Sequence, residues 1–188
     1  MPSLKPRLCA IAAAVMLLFG AVATLAQPVT LPTLAFDNLS KDRVTLPADF
    51  HSDRNLLVLY FDLTQQADVD AWNADFDRWR THDPSLTTYT SLVSSQKNFL
   101  SRWWQNSSLR SAAPDASHWA TTVPLYVDMR AFDRALGIGS ETDVIVLLLD
   151  RQGRVLARVA GPPAVASRYA LRNALHAAGS PLPLAAAQ

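Results

Sequence analysis

Residues 144–161, VIVLLLDRQGRVLARVAG, decide the fold. Val144 to Leu149 is an unbroken apolar run of strand length, which suits a strand covered on both faces. Asp150-Arg151-Gln152-Gly153 is a turn, with glycine where a positive φ is wanted. Arg154 to Ala160 is the returning strand of a hairpin. After it, Ala164 to Ala178 predicts a helix, because Leu171, Ala174, Leu175 and Ala178 recur at helical spacing. Gly179-Ser180-Pro181 ends that helix.

Reading towards the N-terminus, RAFDRAL at 130–136 is a short helix stopped by Gly137. Gly137-Ile138-Gly139 lacks the rest of a dinucleotide fingerprint and follows a helix, so it reads as a helix stop. Val123 to Val127 predicts a strand. Residues 95–111 predict a helix carrying Phe99, Leu100, Trp103 and Trp104, and residues 86–93 a strand. Val69, Trp72, Phe76 and Trp79 lie on one stripe of another helix, with Thr64 or Asp68 as its cap, ending before Asp83-Pro84. Leu56 to Phe61 is a second strand buried on both faces. The stretch from Gln27 to Asn55 is an extended lead-in rich in turn residues, with a hairpin through Asn38 to Asp42. Strand, helix, strand, helix, strand, short helix, hairpin, helix describes an α/β fold with a mixed central sheet.

Residues 1–26 have the parts of an export signal: Lys5 and Arg7, an uncharged apolar run to Leu25, and small residues before Gln27. Cleavage after Ala26 is expected, with an uncleaved membrane anchor as the competing reading. Cys9 lies at the front of the apolar run, which rules out a lipoprotein site. The expected organisation is a signal at 1–26, one domain at 27–179 and a disordered tail at 180–188. Beyond residue 26 the chain has 15 basic and 16 acidic residues, which gives no reason to expect nucleic acid as partner. The body is expected to be soluble and periplasmic or secreted, or anchored at the inner membrane facing the periplasm if the signal stays.

The order of elements resembles the thioredoxin-like superfamily, in the extended form of peroxiredoxins and envelope thiol-disulfide proteins. The resemblance rests on Pro124-Leu125-Tyr126-Val127-Asp128, on Ala135-Leu136-Gly137-Ile138, and on Val146 to Asp150 with Gly153, Arg154-Val155 and Gly161. It implies a reactive cysteine just after the first core strand, at the start of a helix, where a thiolate would be favoured. Here that stretch is Asp62 to Asp68, and the only cysteine of the chain is Cys9. It also implies a cis-proline before the terminal hairpin, where Ser140-Glu141-Thr142-Asp143-Val144 stands instead. Thr64, Gln65, Gln66, Asp68, Thr142 and Asp143 are therefore the expected edge of a vestigial active site, with no catalytic residue among them. A narrower resemblance, to the mitochondrial ATP synthase assembly-factor family, rests on FLSRWWQNSSLR at 99–110, the 147–155 hairpin and Ala160-Gly161-Pro162-Pro163-Ala164. It implies non-enzymatic work on a membrane complex.

Trp103 and Trp104, with Arg102 and Arg110, are candidates for a protein-binding patch, since Trp and Arg are frequent binding anchors. Core packing is the competing reading of the two tryptophans. Asp62, Asp68, Asp70, Asp75 and Asp77 match no calcium loop and read as a solvated acidic face. His51, His82, His118 and His176 show no metal-ligand spacing. No cofactor is expected. The expected function is that of an exported, redox-inactive protein-binding, chaperone-like or assembly factor. A small-molecule binding module and a cysteine-independent enzyme on the same scaffold are the alternatives.

Overall fold

The computed structural model describes residues 28–95 and 119–182. The expected helix at 95–111 and the residues Arg102, Trp103, Trp104 and Arg110 lie outside them, as do the export signal and residues 183–188.

Asn55-Leu-Leu-Val-Leu-Tyr60 forms β3, the middle strand of a five-stranded sheet, and all six residues are buried. Alternation sends Leu57 and Leu59 into one apolar cluster and Leu56, Val58 and Tyr60 into the other. β4 (Thr87–Ser95) lies parallel to β3, and β5 (Leu125–Val127) parallel to β4. β6 (Ile145–Leu149) runs antiparallel on the other side of β3, and β7 (Val155–Ala160) antiparallel to β6. The sheet order is β5-β4-β3-β6-β7. Every residue of β6 is buried, whereas β7 alternates between half-buried and exposed, as an edge strand does.

α1 (Gln66–Arg80) and α3 (Val165–Ala177) contribute to one of these clusters, α1 through Val69, Trp72, Phe76 and Trp79, and α3 through Leu171 and Leu175. The three aromatic rings of α1 stack in sequence, with centroids 5.6 and 5.4 Å apart. Trp72 donates its Nε1–H to the Gly161 carbonyl at 3.0 Å, so its buried indole is satisfied. The other cluster holds Phe132 and Leu136 of α2 (Met129–Leu136), together with residues of a small hairpin. That hairpin pairs β1 (Leu34–Asp37) with β2 (Arg43–Leu46) through the expected turn at 38–42. Asn38 fixes the turn, its Oδ1 accepting from the Asp42 amide at 2.8 Å.

The termini of the elements follow the chemistry of their residues. Asp128 caps α2 by accepting from the Ala131 amide, and Gly137 ends it in the left-handed conformation with φ 65°. Gly153 turns the β6–β7 hairpin with φ 79°, and a Cβ there would lie 2.8 Å from Pro47. The lead-in docks on β7: Leu31 donates to the Gly153 carbonyl and Val155 to the Val29 carbonyl, each at 2.8 Å.

Three sequence expectations need correction. Neither Thr64 nor Asp68 caps α1; Gln65 stands at its N-cap position without a side-chain cap, and Asp62 caps the 3₁₀ turn that leads into it. Asp75 is not part of a solvated face. It is 2% exposed, and its carboxylate pairs with Arg78 and, at 2.6 Å, with Arg168 of α3. The domain does not end at residue 179, because Ser180 and Leu182 are buried within it.

Candidate functional site

The expected site lies where β3 runs into α1. β3 ends at Tyr60, whose hydroxyl is held protonated by burial and, secondarily, by the charge of Asp70. Asp62 then adopts an extended backbone, and its Oδ1 accepts from the Thr64 amide at 2.8 Å. Hydrogen bonds from the Thr64 amide and then from its hydroxyl hold the exposed Asp62 carboxyl below its ordinary range. Residues 63–65 form one turn of 3₁₀ helix that continues into α1.

Gln65 closes the capping box. Its Oε1 accepts from the Phe61 amide at 2.7 Å and from the Asp62 amide at 3.3 Å. Its Nε2 donates to the carbonyl of Glu141 at 3.0 Å. One buried carboxamide thus joins the helix start to the loop at 139–143 that leads into β6. The two stretches expected to form the vestigial edge are brought together through it.

The other expected residues surround this junction. Thr64, Thr142 and Asp143 are exposed, while Gln66 and Asp68 are half-buried. Gln66 is occupied by Asp70 through a 2.8 Å hydrogen bond. The Thr142 and Ser140 hydroxyls bond to each other at 2.7 Å and shape the loop. Among the described residues a cis peptide precedes Pro47 alone, so the 140–144 loop is all trans. No group of three or more metal-ligating side chains occurs among the described residues.

Two features of the edge were not anticipated. Leu63 stands 44% exposed on the 3₁₀ turn beside Gln65. Glu141 meets Asp133 of α2, carboxyl against carboxyl. Burial, the Asp133 charge and the hydrogen bond to it push the Glu141 carboxyl above its ordinary range. The capping box was readable from Asp62-x-x-Gln65. The Glu141 contacts join distant parts of the chain and leave no local sequence signal.

This arrangement carries hydrogen bonds where a thiol would have to be free. Thr64 could supply a hydroxyl, but no described histidine touches the site; His51, His82 and His176 are exposed elsewhere. The edge carries exposed polar side chains and one exposed leucine, Leu63.

The fold is thioredoxin-like. Solved structures superpose on most of the chain: a protein assigned to electron transport from Aquifex aeolicus has a TM-score of 0.60 at 10% identity, over 81% of this chain and 98% of its own. A thiol:disulfide interchange protein of DsbE type from Chlorobium tepidum has a TM-score of 0.54 at 15% identity, over 82% and 99%. A thiol-disulfide oxidoreductase from Bacteroides fragilis has a TM-score of 0.51 at 13% identity, over 77% and 98%. At these identities the likeness is one of fold. No family model matches the chain, and no curated protein matches it by sequence. The chain has one cysteine, Cys9, and so holds no cysteine pair.

Proposed function

We propose that this chain is an exported, redox-inactive thioredoxin-like protein that acts by binding another protein, as a chaperone or assembly factor for an envelope or membrane complex. The observation that carries the reading is Gln65. At the helix start where the resemblance implies a thiolate, a buried carboxamide spends its oxygen and its nitrogen on backbone groups. With the chain's only cysteine at position 9, the described edge has hydrogen-bonded structure and no thiol.

The edge suggests the chemistry of the partner. No Lys, Arg or His occurs between Arg54 and Arg78 or between Arg134 and Arg151, the two stretches that meet here. Asp62 adjoins Leu63, and the loop that Gln65 ties to this turn carries Glu141 and Asp143; an acidic edge with one exposed leucine fits a basic partner segment carrying an apolar side chain. The residues 99–110, with Arg102, Trp103, Trp104 and Arg110, are a second candidate contact of the same protein. Among the described residues no helix is long and apolar enough to cross a membrane. In this reading the export signal at 1–26 carries the chain to the periplasm or outside the cell, and leaves it anchored at the inner membrane if it is not cleaved.

Two measurements test this together. Purified chain lacking residues 1–26 should neither reduce insulin disulfides nor consume peroxide; either activity would overturn the redox-inactive reading. Affinity capture from solubilised envelopes should recover one stoichiometric complex. Leu63→Asp and Trp104→Ala should weaken capture by about tenfold or more, while Arg151→Ala on the β6–β7 turn leaves it intact. Equal capture by all three variants would exclude both proposed surfaces.

A further inference from the structure

Asp133 presents a physical problem that partner binding does not address. Its Oδ1 is enclosed by protein, and no N–H or hydroxyl donates to it. A buried acceptor left without a donor is destabilising. The group it meets is the Glu141 carboxyl, which in its ionised form can only accept. A single proton between the two would turn the repulsion into a hydrogen bond.

We propose that the Glu141 carboxyl, when protonated, donates to the unpartnered Asp133 Oδ1, and that this contact fastens the 139–143 loop to α2 in acid and releases it as the pH rises.

The surroundings offer no substitute for that proton. On α2, Arg130 and Arg134 are exposed, and neither donates to the Asp133 Oδ1. From β7, Arg158 gives its Nη1 to the carbonyls of Leu136 and Gly137 at 3.1 and 2.6 Å. The turn before α1 brings Asp62 and neutral Gln65, and the loop itself adds Asp143. No basic group from these elements bonds to the pair, so the proton is the cation it can use. The loop then has two fastenings of different character. The Gln65 bond to the Glu141 carbonyl is indifferent to pH, and the carboxyl pair is not.

The direction follows from the raised Glu141 carboxyl. A group whose pKa is higher folded than unfolded stabilises fully below its unfolded value of about 4.3. That contribution is lost as the pH rises through the folded value. Acidification therefore tightens this edge, although it weakens most carboxylate contacts.

The test uses the full chain. The Glu141 carboxyl carbon is followed by NMR across the acid to neutral range, together with hydrogen-exchange protection of residues 140–143 corrected for intrinsic rates. Glu141 should titrate above the ordinary glutamate value, and loop protection should fall about fivefold or more over the same interval. Asp133→Asn should return the Glu141 titration to an ordinary or lower value. Glu141→Gln supplies an N–H at every pH, so its loop protection should not depend on pH. Titration of wild-type Glu141 at the ordinary value would overturn the proposal. So would the same pH-dependent loss of protection in Glu141→Gln as in wild type.

Discussion

Asp83 is 1% exposed and gathers three partner residues at the end of the molecule away from the α1 start. The Arg54 Nε and Nη2 donate to its two oxygens at 3.1 and 3.3 Å. Ser180 and Ser85 add hydroxyls at 2.6 Å each. Burial pushes this carboxyl up, but the hydrogen bonds from Ser180, Ser85 and Arg54, with the Arg54 charge, outweigh it and hold it below the ordinary range. Asp83→Ala leaves Arg54 half of a buried pair and should cost about 3–5 kcal/mol in chemical denaturation. The pH dependence has a definite sign. A depressed folded value stabilises above the unfolded value of about 3.9 and is lost as pH falls through the folded one. Asp83→Asn should therefore flatten the acid limb of the stability profile. Asp83-Pro84 reads in the sequence only as a helix stop, because Arg54 and Ser180 sit 29 and 97 residues away.

At the scale of the element, α1 shows what periodicity can and cannot deliver. The apolar stripe Val69, Trp72, Phe76, Trp79 is buried as its spacing demands. Asp75 sits beside that stripe and looked like one more surface acid, yet it is buried between Arg78 and Arg168. Composition cannot distinguish an acid facing water from one facing an arginine on a distant helix. The two residues expected to cap α1, Thr64 and Asp68, bracket its start at Gln66, which follows a 3₁₀ turn capped by Asp62 and closed by Gln65, the residue that also binds Glu141. Gln65→Ala removes both roles. It should cost about 0.5–2 kcal/mol and raise hydrogen exchange at residues 62–66 and at 139–143 together. An effect confined to 62–66 would show that the carboxamide does not join the two segments.

For the molecule as a whole, the mixed sheet and its terminal hairpin were legible because β3 and β6 are apolar runs too short to be helices. Leu147 sits at the middle of this sheet, fully buried and opposite Leu57. Leu147→Ala should cost about 2–5 kcal/mol, whereas Leu156→Ala on the half-exposed β7 should stay within about 1 kcal/mol. Equal losses at the two sites in denaturant melts would contradict the burial gradient from β6 to β7. What stayed illegible is how strands far apart in sequence are brought to one edge, which depends on the closed sheet.

That sheet has a consequence in time. β3 takes β6 as its antiparallel neighbour, pairing Asn55 with Leu149 and Leu59 with Ile145. During synthesis β3, β4 and β5 can associate while β6 is still unmade. In that interval a strand that is apolar from Leu56 to Leu59 presents an open backbone ladder to any chain nearby. The long sequence separation also slows closure. Nascent chains that stall before residue 145 are therefore the species that would self-associate or recruit a chaperone, and the vulnerability ends when β6 slots in.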